Sequence, residues 1–178
     1  MELYVVRHGE TIVNVLELAN GRNMIGLNRK GKKQAKLAGK QMENVKIDLV
    51  FCSPLKRTKQ TCRLVTKNKI KPIYEPRLLE RDSGSQQFKD ARKLDVQEWY
   101  DINKEIVYKD AEGFKSVLAR VINFLNELKE KYPDKAILLV THGDVCKAIY
   151  AYFNNLTDAN EVNLCGQENC EIRKYVIN

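Results

Sequence analysis

The 178-residue chain holds two histidines, and they sit in matching surroundings. His8 follows Leu3-Tyr4-Val5-Val6-Arg7 and precedes Gly9. His142 follows Ile137-Leu138-Leu139-Val140-Thr141 and precedes Gly143. Two imidazoles at the ends of two apolar runs, one beside an arginine, fit a metal site, acid–base or nucleophilic catalysis, or a structural role. Two histidines and a carboxylate are enough to hold a metal ion, but no HxH, HExxH or cysteine cluster accompanies them.

Phosphoryl transfer uses more of the chain. A phosphate monoester carries close to two negative charges, which repel an attacking nucleophile. Arginine neutralises them with a rigid, permanently charged fork, and Arg7 and Arg57 both fall at strand-to-helix junctions. A neutral imidazole can then attack phosphorus and form a covalent phosphohistidine. Glu80, after a third strand, is available to protonate the departing oxygen. Singly, each of these residues suits a surface or structural role; together they point to phosphate.

These side chains need elements to position them. Leu3–Val6 reads as a buried strand that ends at Arg7-His8, with Gly9 turning the chain. In open α/β sheets ligands bind at that end of the strands. A helical turn is predicted near Asn14 and a helix from Asn28, a good N-cap type, burying Ala35, Ala38 and Met42. Ile47–Phe51 is a second strand, and Pro54 suits the first turn of a helix whose buried face holds Leu55, Thr58, Cys62 and Val65. Lys71–Tyr74 is a short third strand. Residues 112–131 carry a broad apolar stripe at Phe114, Val117, Leu118, Val121, Leu125 and Leu128. Ala136–Val140 reads as a strand buried on both faces, followed by a helix with Val145, Ile149, Tyr152 and Phe153. Glu171–Ile177 is a last strand. Strands alternating with helices predict an α/β fold with a largely parallel sheet.

Between Asp82 and Asp110 the pattern is weakest. A helix is predicted between Ala91 and Glu105, and the segment, with Phe88, Trp99, Tyr100 and Tyr108, is expected to cover the site or to be anchored by its aromatics. Composition narrows the classes further. Hydrophobic residues at 43% and charged ones at 30% describe a chain able to bury a core, and its length suits one domain over residues 1–178. No apolar run approaches the roughly 20 residues of a membrane span, and a secretory signal is not expected. Five cysteines without metal-ligand spacing read as free thiols in a reducing cytoplasm. The net charge of +8 raises a nucleic-acid hypothesis. Much of it, though, lies at Lys30, Lys32, Lys33, Lys36 and Lys40 of one helix, which reads as a solvated face, and no nucleic-acid partner is expected.

The ordered motifs reach a family. Arg7-His8-Gly9-Glu10-Thr11 with Asn14 resembles the RHGETxxN signature of the histidine phosphatase superfamily, the phosphoglycerate-mutase-like fold. Ser53-Pro54-Leu55-Lys56-Arg57-Thr58-Lys59-Gln60-Thr61 resembles its SPLxRxxQT segment, Leu79-Glu80-Arg81-Asp82-Ser83-Gly84 its LxERxxG segment, and Thr141-His142-Gly143 its THG. The resemblance implies a three-layer α/β/α sandwich with a mainly parallel central sheet and a short cap excursion over 85–111. It implies His8 as phosphorylated nucleophile and Glu80 as proton donor. Arg7, Arg57 and His142 would hold phosphoryl oxygens, with Asn14 and Gly143 as further substrate contacts. The family needs no metal or organic cofactor. His8 must be neutral to attack, whereas a protonated His142 would better stabilise the transition state, so the two should titrate as a coupled pair.

Departures from the family's pattern bear on the substrate. Val13 stands where many members have tryptophan, and Gly84 leads into Ser85-Gln86-Gln87 rather than a Trp-containing stretch. A mutase must retain a bisphosphorylated intermediate and exclude water. The short, polar excursion after Gly84 suggests that water enters, which favours a phosphatase acting on a small phosphorylated metabolite over a phosphoglycerate mutase. A basic nucleic-acid- or phospholigand-binding protein without catalysis is the reading outside enzymes; it leaves the four ordered motifs unexplained.

Overall fold

Strand β6 (Ala136–Thr141) lies at the middle of the molecule, and the sheet is built outward from it. In the computed structural model, which describes residues 1–177, β6 is flanked on one side by β1 (Glu2–Arg7) and on the other by β2 (Leu49–Cys52). Beyond them lie β7 (Ile172–Val176) and β3 (Ile73–Tyr74), giving the order β3-β2-β6-β1-β7. All pairings are parallel except β7 on β1.

The alternation along the strands sorts the core into two layers. Leu3, Val5, Ile137 and Leu139 face α5 (Phe114–Lys131) and α6 (Gly143–Asn154). Val6, Leu138 and Val140 face α2 (Arg29–Gln41) and α3 (Lys56–Val65). Helices therefore cover both faces of a mainly parallel sheet, as the alternation of elements predicts. Asn28 caps α2 by accepting from the Gly31 N–H at 2.7 Å, and α1 (Ile12–Val15) is the turn expected near Asn14.

Four local readings need correction. Pro54 lies outside α3, which begins at Lys56 with Leu55 as its N-cap residue. The third strand pairs only at Ile73 and Tyr74; Pro72 has no N–H to offer a ladder. The helix expected over Ala91–Glu105 is instead a 3₁₀ turn at Ala91–Lys93 and a single turn, α4 (Val96–Trp99). There Asp90 and Asp95 accept from the N–H groups of Arg92 and Glu98, so each starts a new turn and Leu94 between them is extended. After α4 come β4 (Ile106–Val107) and β5 (Ala111–Glu112), a small hairpin. Finally, α7 (Ala159–Leu164), capped by Asp158, was not anticipated, although Asp158-x-x-Glu161 carries the spacing of an N-terminal capping signal.

Candidate active site

The register of three adjacent strands builds the site. Val6 pairs with Val140 and Arg7 with Thr141, and the His8 N–H extends that ladder to Thr141 O at 2.9 Å. On the other side Cys52 pairs with Val140, and the Ser53 N–H donates to Val140 O at 3.0 Å. Arg7-His8, Ser53 and His142 thus emerge side by side at the carboxyl end of the sheet. The imidazoles of His8 and His142 lie 5.3 Å apart, edge to face. Gly9 allows this arrangement because α2 passes directly over it: a Cβ there would meet Gly31 O at 2.5 Å.

Each imidazole has a defined tautomer. His8 donates from Nδ1 to its own neighbour, Gly9 O, at 2.8 Å, which leaves the Nε2 lone pair free. His142 accepts at Nδ1 from the Nε–H of Arg57 at 3.2 Å, so its Nε2 carries the proton and donates to Ser53 Oγ at 2.7 Å. Burial holds both rings well below the ordinary imidazole range. The positive charges of Arg57 and Arg7 add to this at His8, and those of Arg57 and His8 at His142. The expectation of a protonated His142 is corrected accordingly: fully buried beside Arg57, it is the neutral donor.

Arg57 is buried on α3 with no solvent exposure, and burial pushes its guanidinium down to about 10. Its outer nitrogens donate to Gly21 O at 2.8 Å and Asn23 O at 3.0 Å, which fastens the loop after α1 to the site. Arg7 donates to Gln167 O at 2.6 Å. Glu80 follows the 3₁₀ turn at Pro76–Leu78 and accepts from the N–H groups of Arg81 (3.0 Å), Gly143 (3.1 Å) and Asp144 (3.3 Å). Burial raises the Glu80 carboxyl above its ordinary range, and the nearby Asp144 carboxylate adds to the rise against the pull of Arg57.

A cavity of about 210 Å³ opens over this cluster, and Arg7, His8, Asn14, Glu80 and Gly143 are on its wall. Arg57 and His142 are not; both are fully buried, and the His142 ring packs edge to face against His8. The Gly143 N–H, although at the wall, is engaged by Glu80. Asn14 Oδ1 accepts from both the backbone and the hydroxyl of Thr11, closing a capping box on α1. The excursion contributes Ala91, Leu94, Trp99 and Tyr100 to the wall, so its inner surface is aromatic and aliphatic rather than polar as its composition suggests. Asp144, Lys147 and Gln167 join the site from outside the motifs, and Ser53, the first residue of the SPLxRxxQT-like segment, joins it in a role that segment does not assign to it. Asp144 directly follows Thr141-His142-Gly143, which is the one signal that could have found it.

His8, Glu80 and His142 also bring ligand-type atoms within 4.8 Å of one another, the donor set of a metal centre. Their surroundings suit a cation poorly. Both ring nitrogens of His142 are already used, by Arg57 and Ser53, and two arginines add positive charge. The same charges suit an anion.

The comparisons with known proteins agree with this geometry. Residues 3–178 match the model of the histidine phosphatase superfamily (branch 1). The chain is 29% identical to an uncharacterized phosphatase, PhoE, of Bacillus subtilis (strain 168), over 98% of this chain and 93% of that protein. It is also 29% identical to a 2,3-bisphosphoglycerate-dependent phosphoglycerate mutase of Buchnera aphidicola, over 92% and 88%. The crystal structure of an alpha-ribazole phosphatase from Shigella flexneri superposes with a TM-score of 0.85 at 27% identity, covering all of this chain and 91% of that one. Ordered motifs, strand register and whole-length similarity lead to one conclusion: this chain belongs to the histidine phosphatase superfamily.

Proposed function

We propose that the protein is a metal-independent phosphatase that hydrolyses phosphate monoesters of small metabolites through a phosphohistidine on His8. The observation that carries this reading is the His8 Nδ1–H bond to Gly9 O, which leaves Nε2 as a neutral nucleophile beside Arg7. Nε2 attacks phosphorus and the ester oxygen departs with the proton of Glu80, whose raised carboxyl keeps that proton available. Water then attacks phosphorus and gives its proton to Glu80; an O–P bond forms as the N–P bond breaks, releasing His8 and inorganic phosphate. Arg7 faces the phosphoryl oxygens, Arg57 supplies positive field beside His8, and the neutral His142 packs edge to face against the nucleophile; Asn14 offers its amide at the rim. Residues 85–111 serve as the cap within a single domain.

The test is to incubate the protein with p-nitrophenyl phosphate and chelator, and to trap an acid-labile phosphoenzyme in wild type and in His8→Ala. Chelator-resistant turnover and labelling that vanish in His8→Ala are expected; turnover that survives the substitution sinks the mechanism. A phosphoglycerate mutase is the second reading, favoured by the apolar wall at Leu94 and Trp99, which would help to exclude water. Interconversion of phosphoglycerates with a bisphosphate primer, faster than phosphate release, would select it.

A further inference from the structure

Lys147 lies on α6 one turn beyond Gly143, on the wall of the same cavity. Four residues of helix place it about 6 Å along the axis from the phosphoryl end. It is half-buried. Its Nζ donates to Asn163 O on α7 at 2.7 Å and sits 4.2 Å from the centre of the Tyr100 ring. The carboxylate nearest to it on the helix, Asp144, is committed elsewhere: Oδ1 accepts from Tyr100 at 3.1 Å and Oδ2 lies 3.7 Å from Arg81. Among the described residues Lys147 itself forms no ion pair, whereas the buried Arg81 and the half-buried Arg120 and Arg173 each have a carboxylate partner. A half-buried ammonium held by a carbonyl and a ring, on a cavity wall and attracted by Asp144 and Glu80 without pairing with either, has room to take an anionic partner from the ligand.

We infer that Lys147 reads a second anionic group of the substrate, so that the preferred ligands are small phosphomonoesters carrying a carboxylate or a further phosphate. The inference rests on the reading that the Arg7–His8 end takes the phosphoryl group. It adds specificity to that reading: neutral phosphoesters of equal size lack a partner for the ammonium, and cationic ones are repelled by it.

The probes are 3-phosphoglycerate and glycerol 3-phosphate, which match in size and differ in a carboxylate against an alcohol. Calorimetric titration in a His8→Ala background measures both affinities without turnover, so the outcome does not depend on whether the enzyme proves to be a phosphatase. 3-Phosphoglycerate should bind at least about tenfold more tightly, the scale of one hydrogen bond to a charged group. Lys147→Met should reduce that ratio at least about fivefold, while Lys147→Arg retains it. Lys147→Gln gives the same reading if the methionine variant does not fold. No preference in the parent protein, a ratio that survives loss of the ammonium, or failure to bind either ligand overturns the inference. In the His8-containing enzyme, loss of Lys147 should raise KM for the carboxylate-bearing ester more than it lowers kcat.

Discussion

The Nε–H of Arg57 donates to Nδ1 of His142 at 3.2 Å, and this one bond fixes the state of the second histidine. With Nδ1 accepting, the proton must be on Nε2, where it meets Ser53 Oγ. A single guanidinium thus sets a tautomer, ties down the Gly21–Asn23 loop and adds positive charge beside His8.

Replacing Arg57 with alanine should therefore be severe. Loss of its positive charge beside His8, together with the bonds that set the His142 tautomer and the Gly21–Asn23 loop, should lower kcat/KM a hundredfold or more, about 2.7 kcal/mol of transition-state stabilisation. Steady-state hydrolysis of p-nitrophenyl phosphate measures it. Arg57→Lys should recover little, because one ammonium cannot reach His142, Gly21 O and Asn23 O together; near-normal turnover in either variant would contradict the role given to Arg57.

Ser53→Ala leaves the His142 Nε2–H buried without its acceptor. Such an orphaned donor costs about 1–3 kcal/mol, a fall in Tm of several degrees for a chain of this size. Thermal denaturation of the folded variant checks this, and Ser53→Thr should restore much of the loss if its hydroxyl reaches the same place.

Glu80→Gln separates proton donation from charge. p-Nitrophenolate leaves without needing a proton, whereas an alkoxide does. The variant should lose about 10²–10⁴-fold against an alkyl phosphate and much less against p-nitrophenyl phosphate. In the parent enzyme the alkaline limb of kcat/KM should follow ionisation of Glu80, whose carboxyl burial holds above its ordinary value. That limb should be absent in the glutamine variant.

Stability should fall on the acid side. His8 and His142 are both held below the ordinary imidazole value of 6.5 when folded, so the unfolded chain takes up protons that the folded one refuses. Their contribution is complete above about pH 6.5 and declines as pH falls from there toward their folded values. Glu80 acts in the opposite sense: its raised folded value contributes below its ordinary value of 4.5, and that contribution is lost as pH rises through the folded one. Melting curves across pH 5 to 8 should show Tm decreasing below about pH 6.5, and the slope should lessen in His8→Asn.

Trp99→Ala tests the excursion. The indole is 5% exposed, lies 3.9 Å beneath the Arg81 guanidinium and packs near Tyr108. Truncation should cost about 3–5 kcal/mol and also open the cavity wall. A stable, fully active variant would show that this segment merely sits on the surface.

What the sequence made legible follows from what patterns can carry. Buried runs such as Ala136–Val140 and the stripe on α5 repeat over many residues, so periodicity found them. Arg7, His8 and His142 are recognisable because their types are chemically unusual at strand ends, and Glu80 because it falls within the Leu79–Gly84 motif. Ser53, Gln167 and Lys147 are not: a single polar residue has no period, and its role exists only through partners such as His142, Arg7 and Asn163, from 16 to 160 residues away. The excursion departs from the helix predicted for it because aspartates at 90 and 95 compete for backbone N–H groups within a stretch whose composition otherwise permits helix.

The partners of Arg7 and His8 have a consequence in time. Arg7 O accepts from the Cys170 N–H and His8 O from the Asn169 amide, and Arg7 donates to Gln167 O. Arg7 and His8 must therefore wait for residues 167–170, about 160 positions later in synthesis, before they can be seated. Contacts of such sequence separation form late and slowly. A nascent chain halted after α6 would carry every motif and still be inert, and the onset of catalysis during synthesis would mark completion of β7 rather than emergence of the histidines.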